Sequence, residues 1–117
     1  MGVALFPVVE GYSKYYFYED PNTDWKSLGK TSNLLDQVAA QLQVVPLTDF
    51  MGQPQEWFRA VQGLATVQKV AAHIQANPDL IGDEDYQRAV VNDLGRAVSI
   101  LEKAQQENRG FRIDFIG

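Results

Sequence analysis

The 117-residue sequence predicts a single α+β domain, residues 1–117, in which a small antiparallel sheet packs on three helices. Three observations predict it. Two long apolar stripes of helical spacing stand either side of Asn77 and Pro78. Residues 3–9 and 15–18 are rich in β-branched and aromatic side chains. At the far end Phe111, Ile113 and Phe115 alternate with Arg112 and Asp114, the period of a strand with one buried face. Strands at both ends with helices between them favour a layer in which the last strand joins an N-terminal hairpin.

The hairpin is read from residues 3–9 and 15–18 with Glu10 and Gly11 in the turn. Pro7 cannot donate to a ladder, so it implies a bulge or an edge position. The turn formers Asp20, Pro21, Asn22, Thr23 and Asp24 then end the sheet segment, and a loop runs through Gly29. Ser32 or Asn33 can cap a helix whose apolar side holds Leu34, Leu35, Val38, Ala39 and Leu42, and Pro46 ends it. A connector follows, with a single turn expected at Asp49, Phe50 and Met51; the next helix starts at Pro54 or only after Phe58.

The first long stripe runs Ala60, Leu64, Val67, Ala71, Ile74, in steps of four and three; the second runs Tyr86, Val90, Leu94, Ala97, Leu101, Ala104. Asn77, Pro78 and Asp79 stop the first helix and Asp83 caps the second, so the pair must be an antiparallel hairpin. Gly63 and Gly95 sit inside these helices, nearly equidistant from the loop, and are expected to face each other where the backbones approach. A stop with glycine at the left-handed position is read at Asn108, Arg109 and Gly110.

Composition excludes more than it names. A content of 45% hydrophobic and 21% charged residues suits an ordinary folded domain, and zero cysteines remove disulfides, thiol catalysis and cysteine metal sites. A net charge of -5 argues against nucleic acid or an anionic membrane as the main partner. No window approaches the length of a membrane span, and the opening MGVALFPVVEG lacks a basic signal region, so a cytoplasmic location is expected.

Gly29, Lys30 and Thr31 resemble the end of a phosphate-binding loop, but the glycine its spacing needs is Asp24; Gly29 is read as a loop bend and Thr31 as part of a helix start. His73 falls on the stripe of Gln62, Thr66 and Lys69, opposite the apolar face, with no second ligand at helical spacing. Asp79, Asp83, Glu84 and Asp85 cluster without the spacing of a calcium loop and are read as capping. Neither metal nor cofactor is expected. Arg88, Asn92, Arg96, Ser99 and Lys103 form a basic line on the last helix, read as a solvated face with Glu84 supporting Arg88.

The candidate recognition surface is aromatic: Tyr15, Tyr16, Phe17 and Tyr18, with Trp25 shortly after and Tyr12 before. Period two would put Tyr15 with Phe17 and Tyr16 with Tyr18, and only one pair could face the helices. Tyrosine suits a wet interface because it offers apolar area and a hydroxyl. The expected function is a small, acidic, non-enzymatic interaction domain that contacts a protein partner or a second copy of itself. The alternative is a small-molecule binder or minor enzyme with an aromatic-lined pocket between sheet and helices.

Overall fold

The computed structural model describes residues 3–52 and 56–117. The two apolar stripes become α3 (Ala60–Ala76) and α4 (Glu84–Gln106), which pack on each other as the antiparallel hairpin. Leu64, Val67 and Ile74 meet the core from α3, and Val90, Leu94, Ala97, Leu101 and Ala104 from α4. Val70 is buried and Ala71 only half-buried, a small rotation of the expected stripe. The Asp83 carboxylate accepts the Tyr86 amide at 2.8 Å, so the acid cluster does begin with a helix cap. At the other end of α4 it is Asn108, at φ 56°, that takes the left-handed position; Gly110 opens the following strand.

Three antiparallel strands, β1 (Ala4–Val9), β2 (Phe58–Arg59) and β3 (Gly110–Ile116), form a sheet in the order β1-β3-β2. The C-terminal strand therefore pairs with the N-terminal one, as the order of elements required. Pro7 sits opposite Ile113 on the edge strand. The Leu5 amide turns away from β3 to the Trp25 carbonyl at 3.2 Å, and Pro7, two residues on, faces the same way; its missing N–H costs the ladder nothing.

The expected hairpin partner does not form. Residues 15–18 are not a strand, and the two-residue β2 is the third member of the sheet. Local backbone bonds coil the aromatic segment instead: Tyr16 N to Ser13 O, Glu19 N to Tyr15 O and Asp20 N to Phe17 O, at 3.1–3.3 Å. Strand propensity describes a fit to a pleated surface, and here β3 takes one edge of β1 while the Trp25 carbonyl meets the other at Leu5.

Between β1 and β2 lie α1 (Lys26–Lys30), α2 (Ser32–Gln41) and a 3-10 turn at Leu47–Phe50, where a single turn was expected. Thr31 occupies the cap position of α2, but its hydroxyl bonds back to the Ser27 carbonyl at 2.7 Å rather than capping. Pro54 lies outside the described residues; α3 itself begins at Ala60, after Phe58.

The glycines serve other contacts than expected. Gly95 is exposed, and a Cβ there would meet nothing within 4 Å. Gly63 is buried against β3, where a Cβ would stand 2.3 Å from the Phe111 ring; it faces an aromatic side chain and not the other glycine. Gly29 is no loop bend either. It lies inside α1, pressed on the chain before β1, and a Cβ would fall 1.5 Å from the Val3 carbonyl oxygen. Backbone cannot yield there as a side-chain tip would, so Gly29→Ala is expected to cost about 1–3 kcal/mol in urea denaturation. An unchanged midpoint would show that α1 does not bear on β1.

Candidate functional site

Residues 12–25 form a strap held to its surroundings largely by carboxylates. The Tyr12 hydroxyl donates to Glu107 Oε1 at 2.9 Å, and Arg96 Nε donates to Asp20 Oδ2 at 2.6 Å. Asn92 Nδ2 reaches the Asn22 carbonyl at 2.9 Å, and Lys14 pairs with Asp114 of β3 at 3.6 Å. The strap thus runs antiparallel to α4, from Glu107 back to Asp93.

Its far end is locked at Trp25. This residue is wholly buried and has φ 56°, a region that a bulky side chain seldom occupies. Four bonds hold it there. Its amide donates to Asp93 Oδ2 at 3.0 Å and its indole N–H to the Phe17 carbonyl at 3.2 Å. Its carbonyl accepts the amides of Leu5 at 3.2 Å and Gly29 at 3.4 Å. Asp93, 1% exposed, also accepts the Ser27 hydroxyl at 2.7 Å and the Asp24 amide at 3.4 Å, so its buried charge is met by several donors. Asp93 stands three residues from Val90 and four from Ala97, on the apolar face of α4. An aspartate in that stripe was the sequence signal for a buried acceptor.

The coiled strap sorts its aromatics by a spacing of three and four. Tyr15 and Tyr18 lie together, centroids 6.0 Å apart, and Tyr18 rests on Phe6 of β1 at 4.8 Å. Tyr12, Tyr16 and Phe17 form a second group at 4.9–5.2 Å. Of the residues proposed for recognition, Tyr15 (44% exposed) and Tyr16 (58%) face solvent, Tyr18 is half-buried, and Phe17 and Trp25 are core.

The basic line stays largely solvated, with Arg88, Asn92, Ser99 and Lys103 exposed and Arg96 half-buried. Arg88 pairs with Glu84 at 3.7 Å as expected, but Asn92 and Arg96 are engaged from the other side. The Asn22 amide, opposed by burial and helped by the Arg96 guanidinium, holds the Asp20 carboxyl below its usual range. The Tyr12 hydroxyl does the same for Glu107. A carboxyl lowered on folding contributes stability above its unfolded pKa and loses it as pH falls through the folded one. Stability should therefore decline below about pH 4. Asp20→Asn should cost less than about 1 kcal/mol at neutral pH and flatten that decline; an unchanged profile would show that the Asp20 carboxylate is not held by Asn22 and Arg96.

Beside Tyr16 the strap and α4 leave a groove of about 510 Å³, lined by Tyr16, Phe17, Asp20, Arg96, Ser99 and Lys103. The aromatic run and the basic line, read separately in the sequence, meet there. Lys103 lies over the Tyr12 ring at 5.4 Å and makes no ion pair among the described residues. His73 is half-buried on α3 and offers only its carbonyl, to Asn77. Thr66, expected on the same outer stripe, is buried with its hydroxyl on the Val45 carbonyl at 2.6 Å. Lys30 ends α1 and Thr31 precedes α2, so the two do not stand in one loop. Among the described residues no cluster of three His, Asp or Glu side chains could hold a metal, and no helix is long and apolar enough to cross a membrane.

Comparisons with protein-family models, with curated proteins and with solved structures find no significant match.

Proposed function

We propose that this chain is a non-enzymatic interaction domain of the cytoplasm, and that the Tyr15 and Tyr16 knuckle of the strap seats on a protein partner. The observation that carries the reading is that two adjacent tyrosines stay exposed on a segment whose neighbours Phe17 and Trp25 are fixed in the core. Rigid, amphipathic rings on an anchored support lose little entropy on binding, which is why tyrosine is common at interfaces. A second copy of the chain is the partner to test first. The small-ligand alternative would use the groove beside Tyr16, which lies between the strap and α4 and not between sheet and helices as expected; that reading needs a compound in the groove, whereas the interface reading needs only the exposed rings.

Sedimentation velocity over a concentration series tests the interface reading. The wild type is expected to associate, and a double variant Tyr15→Ser with Tyr16→Ser to remain monomeric while losing less than about 1 kcal/mol of stability, since Tyr15 is 44% and Tyr16 58% exposed. Association that survives the double substitution would remove the knuckle from the interface, and a wild type monomeric throughout would remove the second copy as partner; the small-ligand reading is addressed only by titrating a compound into the groove.

A further inference from the structure

A second concavity lies away from the strap, between the start of α2 and the turn joining α3 to α4. It measures about 460 Å³ and is walled by Leu34, Leu80, Ile81, Tyr86, Lys30 and Asp83. Leu80 is 43% exposed, and Leu34 and Ile81, half-buried at the margin of the core, line the same floor. The polar groups around them are unevenly satisfied. Asp83 has its carboxylate turned to its own helix, where it accepts the Tyr86 amide at 2.8 Å. Lys30 lies over the Tyr86 ring, 5.9 Å from the centroid, and makes no ion pair among the described residues. The Tyr86 hydroxyl is buried and has no hydrogen-bond partner among the described residues. A buried polar group left so calls for an explanation, because most such groups in folded proteins are paired.

An ammonium in no ion pair and a hydroxyl without a partner among the described residues, at the edge of an apolar floor, together suit an anion with an apolar body, and Asp24, Asp83 and Asp85 stand around the same two side chains. We propose that this cleft binds a small amphipathic carboxylate, its body on Leu34, Leu80 and Ile81 and its head group taking hydrogen bonds from Lys30 and Tyr86. A carboxylate accepts from both donors at once, which an alcohol can match only without charge and an amine cannot match at all. Burial, with Asp24 nearby, pushes the Tyr86 phenol above its usual value, so it remains a donor at neutral pH. Lys30 is exposed and long, and can follow a head group without movement of the backbone.

The test is titration of the full chain with octanoate, octanol and octylamine, followed by calorimetry and by amide shifts in NMR spectra. Saturable octanoate binding is expected, with shifts confined to residues 30–34 and 80–86. Tyr86→Phe removes only the unpartnered oxygen and Lys30→Ala only an exposed charge, so both should fold as the wild type does. Each should weaken octanoate by about tenfold, the worth of one hydrogen bond to a charged group. No saturable binding at millimolar octanoate, equal binding of octanol or octylamine, or affinity untouched by either substitution would overturn the proposal.

Discussion

Asp93→Ala is expected to destabilise the chain by about 3–5 kcal/mol, the largest effect of any single polar substitution in the molecule. Asp93 collects the amides of Trp25 and Asp24 and the hydroxyl of Ser27, and Asn92 adds its side-chain amide at 3.3 Å. Deleting the acceptor strands several buried donors together and removes one of the four bonds that hold Trp25 at a positive φ, a conformation that costs about 1–3 kcal/mol unless its surroundings impose it. Asp93→Asn keeps the shape and an oxygen but turns a donor toward these donors, so it should fall between alanine and wild type. Urea denaturation with tryptophan emission checks both quantities, because Trp25 should become wetter as the strap loosens. A loss under about 1 kcal/mol with unchanged emission would mean that Asp93 does not organise this end of the strap.

The second large effect is expected in the helical hairpin. Leu94 is 1% exposed at the centre of α4, and truncation to alanine should cost about 2–5 kcal/mol through lost transfer energy and the cavity left behind. Leu64, 6% exposed on α3, should fall lower in the same range because its site is nearer solvent. The adjacent glycine gives an internal control of opposite sign. Gly95→Ala adds a methyl group that meets nothing within 4 Å and should stabilise by up to about 1 kcal/mol through helix propensity. A midpoint insensitive to Leu94→Ala would refute the buried stripe, and a destabilising Gly95→Ala would refute the exposed placement of that residue.

These two regions differ in how far the residues announced them. The hairpin was legible because α3 and α4 are long, and burial repeated every three or four residues averages out single exceptions such as Ala71. The pairing of β1 with β3 was legible from chain order and from the alternation of Phe111 and Ile113. Residues 15–18 were misread because β propensity speaks only to local fit, whereas the decisive contacts are distant: Asp93, Arg96 and Glu107 lie about 70–100 positions away along the chain. The coil that those contacts hold changes the aromatic spacing from two to three and four, which is why Tyr15 lies with Tyr18 and not with Phe17. Gly63 and Gly29 were visible as glycines that needed a reason, but their partners, Phe111 and the Val3 carbonyl, belong to tertiary structure alone. Of the proposed recognition residues, Tyr15 and Tyr16 kept the exposure an interface needs. Trp25 did not, and the buried acid that claims it could have been suspected from its place in the stripe of α4.

The strap is a fixed part of the fold, closed on Trp25 from inside while Tyr15 and Tyr16 stay outside. Hydrogen exchange read by NMR at the two tryptophans tests it most directly. The Trp25 amide and indole N–H, bonded to Asp93 and to the Phe17 carbonyl, are predicted to exchange only with global unfolding, at the slow limit set by the amides of α3 and α4. The indole of the half-buried Trp57 should exchange far faster. Exchange of the Trp25 indole at the rate of Trp57 would contradict the account, since the strap would then open without the core and could not hold its tyrosines as a rigid surface.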